Sequence, residues 1–150
     1  MLVFAAEPYH YLQDAICQHG SLPAGRIESR RFPDGEHYHR VLDTVAAQDA
    51  VLIGGTIDDE QTLAVYDVAC ALVSERAASL TLLVPYFGHS TMDRAVWPGE
   101  AVTAKTRARL FSHASYAPAT RWCWLLGAQR LPEEAGVTRN PHRNPTRGRS

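Results

Sequence analysis

The sequence predicts an α/β fold built around a parallel sheet, and three observations carry that expectation. The runs Ala50-Val51-Leu52-Ile53 and Ser79 to Val84 are apolar enough to be strands covered on both faces. A helical pattern follows the first of them, and a long polar loop and a second helical pattern follow the other. The length of 150 residues, 45% hydrophobic and 21% charged, suits one folded core.

The elements follow in order. Leu2 to Ala6 reads as a first strand. Leu12, Ile16 and Cys17 then recur at helical spacing, with Pro8 suited to the first turn of that helix and Gly20 to its stop. Arg26 to Arg31 and His37 to Leu42 read as strands on either side of Phe32-Pro33-Asp34-Gly35-Glu36, whose Pro-Asp-Gly centre is turn chemistry. After Ile53, Asp58 is a good N-cap with Gln61 three residues on, the spacing of a capping box; Val65, Val68, Ala69 and Leu72 then mark one helical face. The strand over 79–84 ends at Pro85 and opens the segment from Tyr86 to Ala101. Thr103 is placed to cap a last helix reaching about His113. Trp122 to Leu126 reads as one more strand, whereas Leu131 to Ser150, with Pro132, Pro141 and Pro145 among Arg and Asn, is expected to be unstructured. There is no internal repeat.

Charge and cysteine usage exclude several classes. Residues 1–120 carry nine Lys and Arg against fourteen Asp and Glu, net −5, and residues 121–150 carry six against two, net +4. An acidic body is poorly suited to binding phosphate backbones, so nucleic acid is not an expected partner. No run approaches the roughly 18 apolar residues of a spanning helix, and the start lacks a basic region followed by a long apolar one, so neither membrane nor export is expected and the chain reads as cytoplasmic. Cys17, Cys70 and Cys123 are odd in number and far apart, which predicts reduced, mostly buried thiols.

Ligands of open parallel sheets bind beyond the carboxyl ends of the strands. Gly54-Gly55-Thr56 there serves either as a tight strand-to-helix turn, the reading its pattern favours, or as backbone N–H groups near a phosphate; it matches neither phosphate-loop fingerprint. The loop from Pro85 to Arg94 is rich in hydrogen-bonding groups, with His89 a candidate acid, base or ligand. Phe32, Asp34 and Glu36 place an aromatic ring beside two carboxylates, a set able to stack on a flat base and accept from its exocyclic amine; an ordinary hairpin turn explains the same residues. His37 and His39 have carboxylates nearby but not the spacing of a zinc site, and no metal ligands are assigned.

Phe32-Pro33-Asp34-Gly35-Glu36 after an early strand, then Val84-Pro85-Tyr86-Phe87-Gly88, Asp93-Arg94 and Val102-Thr103-Ala104-Lys105, resemble in order and spacing the N-terminal half of ribose-phosphate pyrophosphokinase. The resemblance covers residues 1 to about 114 and implies the phosphoribosyltransferase type I-like fold, a parallel-sheet three-layer sandwich. It also implies transfer of the diphosphate of ATP to ribose 5-phosphate, with ATP and Mg²⁺, in a homo-oligomer whose Phe-x-Asp-Gly-Glu loop often reaches a neighbouring subunit's site. On that basis Phe32 stacks on adenine, Asp34 and Glu36 help recognise it, and the functional reading of the turn outweighs the plain hairpin.

Departures from the pattern matter as much. Thr91 and Met92 stand where the family usually has Arg-Gln, whose Arg contacts ATP phosphates, and Ala95 and Gly99 stand at positions that are often basic. Leu126-Gly127-Ala128 replaces the expected Asp-Leu-His ending, and the family's second domain, with its ribose 5-phosphate loop and catalytic basic residues, has no counterpart. The expectation is therefore an N-terminal domain over 1–114 and a divergent tail over 115–150, which a shifted reading frame and an early stop would explain. No catalytic residue is assigned, and negligible synthesis by the chain alone is expected. The alternative is a non-catalytic nucleotide-binding or regulatory subunit that associates with full-length relatives.

Overall fold

The computed structural model describes residues 1–113 and 120–124. Four parallel strands, β1 (Leu2–Ala5), β4 (Asp49–Ile53), β5 (Ser79–Val84) and β6 (Thr120–Trp124), lie side by side in the order β1-β4-β5-β6. The intervening β2 (Ile27–Arg31) and β3 (His37–Val41) form a separate antiparallel hairpin. Helices α1 (His10–Gly20), α2 (Asp59–Ser74) and α3 (Thr103–His113) complete the chain order.

Strand alternation divides the core between the two faces of the sheet. Leu2, Phe4, Ala50, Leu52, Leu80, Leu82 and Val84 face Val65, Val68, Ala69 and Leu72 of α2 and Ala104, Ala108 and Phe111 of α3. Val3, Ala5 and Ile53 face the other way, onto Leu12, Ile16 and Cys17 of α1. Helices thus cover both faces, giving the three-layer α/β sandwich. Gln13, buried on α1, donates from Nε2 to the carbonyls of Val3 (2.6 Å) and Gly25 (2.8 Å). The Val3 carbonyl also accepts from the Gly25 N–H at 2.7 Å, so Gln13 ties α1 to a pairing that already links β1 to the segment before β2.

The strand over 79–84 and the apolar face of α2 form where the sequence places them, because burial on a sheet reinforces the local pattern. Several ends differ. Pro8 lies ahead of α1, and the helix runs through Gly20 to stop at Ser21, which takes the left-handed conformation (φ 49°) and donates its N–H to the Cys17 carbonyl. The Asp58 side chain does cap α2, accepting from the Gln61 N–H at 2.8 Å, but Gln61 Oε1 has no hydrogen-bond partner, so the box is half made. Thr103 is the first helical residue of α3 rather than its cap, and the Val102 carbonyl already accepts from the Thr106 N–H. Cys17 and Cys70 are free but only half-buried, each packed against one face of the core. The final strand forms two residues earlier than the apolar run at 122–126, at the register set by pairing with Leu80–Val84. The tail expected beyond it, 125–150, lies outside the described residues.

Candidate functional site

The hairpin carries Phe32, Asp34 and Glu36 at its tip. Ile27 and Val41 at its base pack against the main core, and Arg26 and Asp43 close it, with the Arg26 N–H and guanidinium both donating to the Asp43 carboxylate (2.7 and 2.8 Å). That pairing holds the Asp43 carboxyl below the usual carboxylate range. At the tip the Phe32 N–H donates to the Glu36 carbonyl (2.8 Å) and the Gly35 N–H to the Phe32 carbonyl (2.9 Å). Gly35 has a positive φ of 96°, which its missing side chain permits. Asp34 Oδ1 accepts from the Glu36 N–H at 3.1 Å, an Asx turn. The turn reading of these residues is realised, and one oxygen of Asp34 shapes it.

The two faces of the hairpin differ in what they meet. One face lies on α2, where His37 Nε2 is 3.4 Å from Glu60 Oε1, His37 stacks on His39 (6.2 Å between centroids), and Ser29 Oγ is 3.0 Å from His39 Nδ1. His39 Nε2 is buried without a partner. Burial lowers the basicity of His39, Asp67 opposes that and His37 adds to it. A cavity of about 220 Å³ lined by Ser29, His37, His39, Glu60 and Gln61 runs between hairpin and helix. Glu36 lines an adjoining cavity of about 450 Å³ with Arg31, His37, Glu60 and Asp67. The other face carries Phe32, whose ring meets Tyr38 edge to face at 6.0 Å and lies beneath the Arg30 guanidinium at 5.3 Å. Phe32 remains 39% exposed, a large apolar group presented to solvent.

The turn at the end of β4 is built differently. The Gly54 N–H donates to the Leu83 carbonyl (3.1 Å) and the Thr56 N–H to the Tyr86 carbonyl (3.0 Å), while Thr56 Oγ1, fully buried, accepts from the Gly88 N–H (2.7 Å). A methyl group on Gly54 would strike Val65, one on Gly55 would strike the Tyr9 hydroxyl, and one on Gly88 would sit 1.8 Å from the Thr56 carbonyl oxygen. Of the two readings of Gly54-Gly55-Thr56, the tight turn is the one realised: two of its three N–H groups are bonded within the protein and its glycines serve close packing.

Beyond Gly88 the loop turns outward. His89 is exposed at a φ of 59°, and Val96 and Trp97 are 73% and 69% exposed. The Glu100 carboxylate accepts from the Trp97 and Val96 N–H groups (3.0 and 2.6 Å), which hold its carboxyl below the usual range. Ala104 donates to the Met92 carbonyl, tying the loop to α3. Among the described residues no group of three or more His, Cys, Asp and Glu side chains is arranged to hold a metal ion, so they offer no all-protein cage for Mg²⁺, which ordinarily needs only one or two carboxylates beside substrate phosphates. None of the described helices is long and apolar enough to cross a membrane.

Sequence reasoning singled out Phe32, Asp34 and Glu36, and the hairpin places all three at one turn. It missed Arg30 and Tyr38, whose signal is the register: they are cross-strand partners, and Arg30 lies two residues from Phe32 on the same face.

Residues 1–114 match the family model described as the N-terminal domain of ribose phosphate pyrophosphokinase. The chain is 31% identical over 117 residues to ribose-phosphate pyrophosphokinase of Rhodopirellula baltica, covering 75% of this chain and 36% of the relative. To the enzyme of that name from Agrobacterium fabrum it is 28% identical over 116 residues, covering 76% and 37%. The chain thus spans little more than a third of the length of these relatives. The fold is similar to the crystal structure of phosphoribosylpyrophosphate synthetase from Mycobacterium smegmatis, with a TM-score of 0.74 at 21% identity, over 82% of this chain and 41% of that one.

Proposed function

Since the chain belongs to the family of N-terminal domains of ribose phosphate pyrophosphokinase, we propose that it supplies the nucleotide-recognising half of a ribose-phosphate diphosphokinase, as a domain over residues 1–114. The reaction it serves is transfer of the diphosphate of ATP to ribose 5-phosphate, in a cytoplasmic homo-oligomer or together with a full-length relative. The observation that carries this reading is the exposed Phe32 ring at the hairpin tip, with Asp34 and Glu36 two and four residues on. Phe32 stacks on the adenine, and the carboxylates accept hydrogen bonds from its exocyclic amine. Mg²⁺, implied by the resemblance, would be held by the nucleotide phosphates and would offset their charge. Catalysis in such a reaction is mainly positioning and charge neutralisation, and this chain contributes the positioning of the base.

A second reading, a non-catalytic nucleotide-binding or regulatory subunit, draws support from the loop after β5. Met92, Val96 and Trp97 are exposed there, an apolar rather than cationic surface beside the position where the resemblance places phosphates. Mixing the chain with a full-length relative and assaying synthesis separates the two: altered activity of the relative favours the subunit, and synthesis by the chain alone refutes it.

Equilibrium titration of the chain with ATP tests the base reading directly. Phe32→Ala is expected to weaken binding about tenfold or more, the usual worth of an aromatic stacked on a base. Unchanged affinity would sink the adenine role.

A further inference from the structure

We propose that Arg30 and Tyr38 are positioning residues that hold the Phe32 ring so that a nucleotide base stacks on one face of it alone; the proposal rests on the base-stacking reading of Phe32.

The arrangement is encoded in the register of the hairpin. Arg30 pairs with Tyr38 across β2 and β3, and strand alternation puts Phe32 on the side of Arg30. Three side chains therefore converge on the face opposite to that of Ser29, His37 and His39. The Arg30 guanidinium lies 4.4 Å from the centroid of Tyr38 and 5.3 Å from that of Phe32, both within cation–π range. Tyr38 meets Phe32 with planes inclined by 71°. Edge-to-face packing is favourable because the positive ring edge meets the negative ring face.

Two consequences follow from these distances. A guanidinium at 5.3 Å leaves no room for a base between it and the ring, since an inserted planar group needs two contact spacings, about 7 Å in all. The base must therefore approach the opposite face. The ring is also restrained before any ligand arrives, so less rotamer freedom is lost on binding. Arg30 is exposed, and its ion pair with Glu28 is long at 4.0 Å, so that carboxylate does not draw the guanidinium away from the rings. A guanidinium serves here better than an ammonium, because its delocalised, weakly hydrated charge lies within reach of two rings at once.

One-sided stacking is indifferent to which base is stacked. Arg30, Tyr38 and Phe32 therefore supply affinity, and the choice of base falls to Asp34 and Glu36. Arg30→Met keeps most of the apolar stem and removes the cation. In the full chain it is expected to weaken ATP and GTP alike by about threefold, as an exposed cation–π contact implies. Arg30→Lys is expected to restore part of the loss. In a Phe32→Ala background Arg30→Met is expected to have no further effect. Nuclear magnetic resonance of selectively labelled phenylalanine supplies a readout free of nucleotide: Arg30→Met and Tyr38→Leu are each expected to move the Phe32 ring resonances.

Ring resonances that do not move would overturn the positioning, as would an Arg30→Met loss that persists without Phe32, since Arg30 would then touch the ligand itself. If Phe32→Ala leaves ATP binding unchanged while the resonances do move, the base reading fails and takes the ligand half of the proposal with it.

Discussion

The hairpin tip and the turn at the end of β4 are both loops rich in glycine and polar groups, yet they do opposite things. At the β4 turn, Gly54 and Thr56 direct their N–H groups to neighbouring carbonyls, Thr56 Oγ1 receives Gly88, and three glycines are held by contacts that would not admit a methyl group. Most of the polar groups of that network are thereby taken up within the fold. At the tip the backbone closes its own turn, while the Phe32 ring and the second oxygen of Asp34 stay outside it. A glycine-rich segment at a strand's carboxyl end is therefore not by itself a binding loop. What distinguishes one is the set of groups that remain after the fold has satisfied its own bonds.

The sharpest way to break this contrast is Gly88→Ala. Its new methyl would collide with the Thr56 backbone, and no flexible side chain is there to yield, so a loss of about 4 kcal/mol in chemical denaturation is expected. A loss below about 1 kcal/mol would show that the turn is looser than its geometry, because tolerated surface changes are of that size. Thr56→Val is next: it leaves the buried Gly88 N–H without an acceptor, an expected cost of about 2 kcal/mol by the same measurement. Asp58→Ala removes the α2 cap and is expected to cost about 1 kcal/mol. Phe32→Ala, by contrast, is expected to change stability by less than about 1 kcal/mol while weakening ATP binding. A large destabilisation there would make the tip structural, like the turn.

The smallest expected effect concerns pH. Burial depresses the basicity of His39 in the fold below its ordinary value of 6.5, so the unfolded chain takes up protons first as pH falls. The contribution of His39 is thus fully present above 6.5 and is lost as pH falls through its lower folded value. The groups around it are His37, Ser29 and, from α2, Glu60 and Asp67. His39→Leu is expected to flatten the stability profile below 6.5, and an unaltered profile assigns the slope elsewhere.

The parallel strands and the buried face of α2 were legible in the sequence, because an apolar run or a three-to-four residue period has few ways to be buried. The hairpin was legible too, from Pro-Asp-Gly between two strands. Helix ends were less so: whether Gly20 or Ser21 turns left-handed, and whether Gln61 returns to close a capping box, depends on neighbours that the local pattern does not contain.

For the candidate site the division is similar. The residue types of Phe32, Asp34 and Glu36, their spacing and the turn that gathers them are properties of one short segment, and the sequence by itself determined them. Which groups remain free was decided only in three dimensions. Hydrogen-bond accounting at Gly54-Gly55-Thr56 requires Leu83, Tyr86 and Gly88, some thirty residues on in the sequence. The restraint on Phe32 likewise requires Tyr38 from the returning strand and the register that sets it over Arg30. Local chemistry chooses what a segment can offer, and long-range packing and pairing choose what it has left to offer, because each donor, acceptor or ring face taken by the fold is withdrawn from a ligand.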